Sequence, residues 1–207
     1  MQEVSLPPLF FGKGRKPVRN RECEGSSQRT RTWHTRILHA LIELLIVIAI
    51  MLIISAIAIP TLLRSKITAN ESSAVSAVRT INTAEVTYAS NWSSGYAASL
   101  TQLGGASPCV VATAAAACII DPLLSAPPFV KSGNAFNAAG TVPMGGVLNG
   151  FEVNATATAV QSTGVRAFCG DQSGVVQFIT PGAAPIGVAA GSCGAIANVP
   201  GTSGPVN

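Results

Sequence analysis

Residues 40–59 form a run of twenty in which only Glu43 and Ser55 are polar. At about 1.5 Å per residue, a helix of that length crosses a hydrocarbon core of about 30 Å. The run sets limits on everything else. In a chain of 207 residues the remainder suffices for one ordinary domain with its own core. Charged residues make up 11% of the chain and aromatics 5%, so the 48% apolar content rests on Ala, Val, Ile and Leu. That composition describes a membrane segment joined to a lightly charged, Ala/Gly-rich domain.

The formal net charge of +4 is unevenly placed. Residues 1–38 hold eight bases against three acids, whereas residues 39–207 hold five against six. The leading segment is therefore basic and the body is close to neutral. An excess of Lys and Arg before a span places that side in the cytoplasm and the body outside. The body offers no cationic footprint for nucleic acid, and none is expected as a partner. Residues 1–38, rich in Gly, Pro, Arg and Ser and without an apolar period, read as an unstructured cytoplasmic leader.

Pro60 follows the apolar run, yet helical spacing continues beyond it. Leu62, Leu63, Ile67, Ala74, Val78, Ile81 and Tyr88 recur at steps that place them on one helix face, with Arg64, Lys66, Asn70, Glu71, Arg79 and Glu85 as polar residues around it. One long helix, kinked or broken at Pro60, is the simplest account. Its part at 39–60 would be membrane-spanning and its part at 61–90 amphipathic. "NWSSGY", residues 91–96, supplies a turn to end it. Residues 97–149 read mostly as connecting loop, because prolines stand at 122, 127, 128 and 143. "VVATAAAACII", residues 110–120, could be a short helix or a strand. Strands are expected in "GFEVNATATAV" (150–160), "VRAFC" (165–169) and "VVQFI" (175–179), with "GDQSG" turning the last two into an antiparallel hairpin. The expected fold is α+β: a long N-terminal helix whose second half covers a small antiparallel sheet within a head at 91–207.

Of five cysteines, Cys23 lies in the leader, and Cys109, Cys118, Cys169 and Cys193 follow the span. They form no CxxC and have no nearby histidine, which argues against zinc and for disulfides outside the cytosol. Three connectivities are open. Short loops favour Cys109 with Cys118 and Cys169 with Cys193, and four buried thiols are the rival reading. Both histidines, His34 and His39, precede or begin the span, and the head carries only Asp121, Glu152 and Asp171 as acids. No catalytic triad, Cys/His pair or phosphate loop can be assembled, so no enzyme activity, cofactor or metal site is expected. Asp171 in "GDQSG" suits a turn better than calcium, which needs more oxygen ligands.

"LIELLIVIAI" (41–50), followed by "AIAIPTLLRSKITANESSAVSAVRTINTAEVTYAS" through Ser90, resembles the type IV pilins and pseudopilins of type II secretion. That family writes this segment after a basic leader ending in glycine, as a phenylalanine, a small polar residue and then "LIELL". Here Leu38 stands at the glycine position, His39 at the phenylalanine and Ala40 at the small polar position. With His39 as the first mature residue, Glu43 is the fifth and Pro60 the twenty-second, the family's spacing for both.

The resemblance implies a prepilin: processing by a prepilin peptidase between Leu38 and His39 removes the leader and leaves an amine for methylation. It further implies a single-pass subunit in the bacterial inner membrane that polymerises, with the pilus or secretion assembly machinery, alongside identical or related subunits. Glu43 would pair with the amino terminus of a neighbouring subunit. By position alone, Glu43 also fits a tolerated boundary residue whose carboxylate reaches the interface. "SAIA" (55–58) offers an ordinary signal-peptidase site, and a cut there would leave a secreted head with no anchor. The rival function is a secreted or membrane-tethered binding domain that never polymerises.

Overall fold

The computed structural model describes residues 25–105, 108–182 and 185–206. Cys23 and most of the expected leader lie outside them. Contacts divide the chain into residues 1–55 and 56–207. Within the first unit the described residues are helical throughout. They belong to α1 (Gly25–Asn91), which starts inside the segment that composition marked as unstructured. Between Gly25 and Pro60 no proline or further glycine interrupts propagation, so a helix once nucleated has no reason to stop. Pro60 lies within α1 and does not end it.

The second unit carries the rest of α1, two short helices, α2 (Leu100–Leu103) and α3 (Pro122–Ser125), and a six-stranded sheet. The strands are β1 (Val130–Lys131), β2 (Asn134–Met144), β3 (Val147–Ala157), β4 (Ala167–Asp171), β5 (Val176–Ile179) and β6 (Ser203–Pro205). Each pairs antiparallel with the next in sequence, an uninterrupted meander. The expected strands at 150–160, 165–169 and 175–179 appear as β3, β4 and β5 with shifted ends.

The expected loop at 97–149 is where the sequence reading departs most from the structure. β2 occupies residues 134–144 and forms with β3 the longest ladder in the sheet, from Asn134↔Ala157 to Met144↔Val147. Gly145 and Gly146, at φ +63° and +84°, close it with the positive dihedrals that a tight hairpin turn needs. Pro122 does not oppose structure either, since it opens α3 in the first turn, where a backbone N–H would have no intrahelical partner. Asp121 caps α3 through Leu123 N–H (2.7 Å) and binds Lys131 Nζ (2.9 Å), which holds its carboxyl below the usual range. Residues 110–120 form neither helix nor strand, only bends and a tight turn closed by an isolated bridge between Thr113 and Ala116.

In this unit α1 presents Ala74, Ala77, Val78, Ile81, Ala84 and Tyr88 to a core shared with Phe136, Phe151, Val153, Ala155 and Phe168. Small side chains let helix and sheet approach closely. At Gly170 even a Cβ would run into Asn82 and Val78. Leu62 and Leu63, expected on this face, are exposed, and Ile67 is only half-buried, so the covered stripe begins near Asn70. The opposite sheet face is also covered. Glu152, Asn154, Cys169 and Asp171 are buried there, and Gly187 lies against Cys169 and Glu152 where a side chain would collide. This explains why residues 150–155 are buried without interruption despite their alternating polarity.

Glu71 and Glu85, expected among the flanking polar residues of the helix, are instead buried. Glu71 accepts from Val165 N (2.7 Å), Arg166 N (2.9 Å) and the Arg166 guanidinium (2.8 and 2.9 Å), which ties α1 to the chain entering β4. Arg166 also lies 5.5 and 5.4 Å from the ring centres of Phe168 and Phe178. Removing the carboxylate orphans two backbone donors and a partly buried cation. We expect Glu71→Ala to cost about 2–3 kcal/mol, below the figure for a fully buried pair because Arg166 keeps some water. A fall in the denaturation midpoint of the head with an unchanged slope would register it, and a midpoint within error of the parent would refute it.

Candidate functional site

Between residues 36 and 66 every position of α1 except Ser55 is exposed. The exposed side chains include Leu41, Ile46, Met51, Ile57 and Leu62, all more than half accessible. Among the described residues this is the one helix long and apolar enough to cross a membrane. The few hydroxyls in and beside the run are turned inward onto the helix itself. Ser55 donates to Met51 O (2.7 Å), Thr61 to Ile57 O (3.0 Å), Ser65 to Thr61 O (3.0 Å) and Thr68 to Arg64 O (3.1 Å). Each therefore presents carbon to its surroundings and satisfies its donor locally, which suits an apolar medium.

Glu43 is exposed and takes part in no hydrogen bond or ion pair among the described residues. Leu38 and His39 lie within α1, so the bond expected to be cut is in helical backbone. Pro60 removes one N–H from the ladder without ending the helix, and Thr61 places a hydroxyl bond to Ile57 O beside that gap. Arg64 and Lys66 follow within two turns, both exposed.

In the head the four cysteines are joined as Cys109 with Cys118 and Cys169 with Cys193, at Cα separations of 5.9 and 5.8 Å. The second bond fastens residues near Cys193 over the far face of the sheet, where both sulfurs are fully buried. Beneath it Glu152 lies near the backbone N–H groups of Gly191, Ser192 and Cys193, but neither of its carboxylate oxygens makes a hydrogen bond among the described residues. Burial raises its pKa, with a smaller push from Asp171, and those N–H groups partly offset the rise. Asp171 accepts from Ser173 N (2.9 Å) and from the Ser173 hydroxyl, shaping the β4–β5 turn. Glu85 is fully buried on α1 and accepts from Ala97 N (2.8 Å) through one oxygen, while the other has no partner. Burial raises its pKa to about 7 against the lowering pull of that bond.

Glu71 and Glu85 are expected from the sequence only as flanking polar residues of the helix, with no contact assigned to either. A signal was present, because both fall in the same three-and-four series as Ala74, Val78, Ile81 and Tyr88. The bases on this stretch, Arg64, Lys66 and Arg79, stay on the surface. Among the described residues no three His, Cys, Asp or Glu side chains come together as metal ligands. No protein-family model, curated protein or solved structure matches the chain.

Proposed function

We propose that this chain is a structural subunit of a filament of the pilin or pseudopilin kind. It is held in the inner membrane by the apolar part of α1, with its head outside the cytoplasm, until it is packed with identical or related copies. The observation that carries this reading is an apolar helix surface that nothing else among the described residues covers. Sixteen large aliphatic side chains from Leu41 to Leu63 are each roughly half exposed or more. Leaving them in water would cost on the order of 15 kcal/mol, as much as the whole stability of an ordinary domain. Lipid, and later the helices of neighbouring copies, supply the missing cover. The family resemblance of residues 41–90, with Glu43 and Pro60 at the family's spacing, supports the second step.

Filament subunits of this kind serve adhesion, motility, DNA uptake or protein secretion, through an outer surface built by their heads. The test is direct. Fibres sheared from cells expressing the chain, imaged by electron microscopy and digested for mass spectrometry, should contain it, and its intact mass should begin at His39. A chain that is found only as single copies, in membranes or medium, is instead a tethered or secreted binding domain.

A further inference from the structure

Charge along α1 in the second unit is sorted by sign. Both acids of that stretch, Glu71 and Glu85, are buried in the head, whereas Arg64, Lys66 and Arg79 are exposed. None of the three bases takes part in an ion pair among the described residues. The acids show the converse. Asp121 holds Lys131, Glu71 holds Arg166, and Glu85, Glu152 and Asp171 are buried. Glu43 is thus the one exposed acid without an ion-pair partner among the described residues.

A carboxylate drawn into a bundle of apolar helices needs a cation, because an uncompensated buried charge is strongly destabilising. On its own helix the nearest exposed arginine, Arg36, makes no ion pair with it among the described residues. Arg79 lies farther along, on the part of α1 that covers the head, where it lines a cleft with Asn82, Asp171, Gln172 and Gly174. Arg64 and Lys66 remain, 21 and 23 residues after Glu43. They flank the end of the apolar run, beside exposed Leu62 and Leu63, where helix packing would strip water from an ion pair and strengthen it. Two residues apart, they point about 200° away from each other around the helix, so a neighbour on either flank meets one of them.

We propose that, in the filament, Glu43 of one copy pairs with Arg64 or Lys66 of a neighbouring copy offset by 21 to 23 residues along α1. The pairing rests on the filament reading above. It gives Glu43 a partner that does not depend on a processed amino terminus, which matters in a chain with Leu38 and His39 at the positions of the family's glycine and phenylalanine. It also fixes register, since one acid and one collar of bases recur once per subunit in an otherwise uniform apolar surface.

The full chain, expressed in cells that assemble it, tests this in three forms. Arg64→Gln with Lys66→Gln should lower sheared fibre yield at least about tenfold, equivalent to 1.4 kcal/mol per contact, at an unchanged membrane level. Glu43→Lys combined with Arg64→Glu and Lys66→Glu should restore fibres, because the pair is reversed and retained. A photo-crosslinking residue at position 64 should capture the Glu43 peptide of a second copy. Normal fibres from the Arg64→Gln, Lys66→Gln chain overturn the pairing. So does a variant that assembles normally and loses only co-purifying anionic phospholipid, which assigns these bases to the bilayer. Absence of fibres from the unaltered chain overturns the filament reading together with the pairing, a result distinct from either of the others.

Discussion

Glu85→Gln is expected to stabilise the head at pH 8 by about 3 kcal/mol and to have almost no effect at pH 4. The carboxyl is fully buried, and its pKa rises from 4.5 to about 7 in the folded protein. A raised value means that the native state holds its proton more tightly than the unfolded chain. The stabilisation is therefore complete below pH 4.5 and is lost as the pH climbs through 7. A shift of that size corresponds to about 3 kcal/mol at 1.36 kcal/mol per unit. Glutamine keeps the acceptor for Ala97 N–H and removes the charge, so the variant escapes the loss. For a head of this size the gain should appear as a rise of about 6–12 °C in melting temperature at pH 8. Melting of the full chain in detergent micelles, followed by near-ultraviolet circular dichroism at both pH values, measures it. Equal melting temperatures at pH 8 would show that folding does not raise the Glu85 pKa and would refute the prediction. Glu152, also raised, acts in the same direction, so the difference between parent and variant isolates Glu85.

The span and the sheet's centre were legible for physical reasons that the rest of the chain lacks. A twenty-residue apolar run without proline or glycine favours a long helix, and β3, β4 and β5 carry Val, Phe, Ile and Thr at strand spacing. β2 reads "NAFNAAGTVPM", with little β-branched or aromatic content, and is held by its long ladder to β3 and by the Gly145–Gly146 turn. Pairing overrode propensity there, and a single strand carries no record of its partner. The polarity of Glu71, Glu85 and Glu152 pointed outward for the same reason. Each is buried because another segment meets it: Val165 and Arg166 donate to Glu71, Ala97 donates to Glu85, and the chain at Gly187 covers Glu152. These partners lie far along the sequence or across a turn, beyond any helical or strand period. The contribution of the head to α1 could be read as a stripe, but where the stripe begins could not. Leu62 and Leu63 continue the apolar spacing and belong to the uncovered part.

The largest expected effect of a single substitution falls on assembly. Glu43→Ala should leave membrane insertion intact and abolish fibres. Insertion cannot suffer, because a carboxylate in the outer part of a membrane helix costs about 3 kcal/mol or less and alanine costs almost nothing. Any loss therefore arises after insertion, when helices of separate copies meet. In lipid the apolar surface of α1 gains little by exchanging one greasy neighbour for another, so packing alone selects no axial position. A charge that must be matched does select one. Without Glu43, copies retain the attraction but lose the match, and the expected product is membrane-bound subunit at its normal level with no sheared fibre. Fractionation and electron microscopy of the same culture read both quantities at once. Fibres of unchanged number and diameter would remove the register role from Glu43 and leave it a tolerated residue whose carboxylate reaches the membrane surface. Glu43→Gln separates charge from size: it should fail as alanine does, because a neutral amide offers a neighbouring cation no counter-ion.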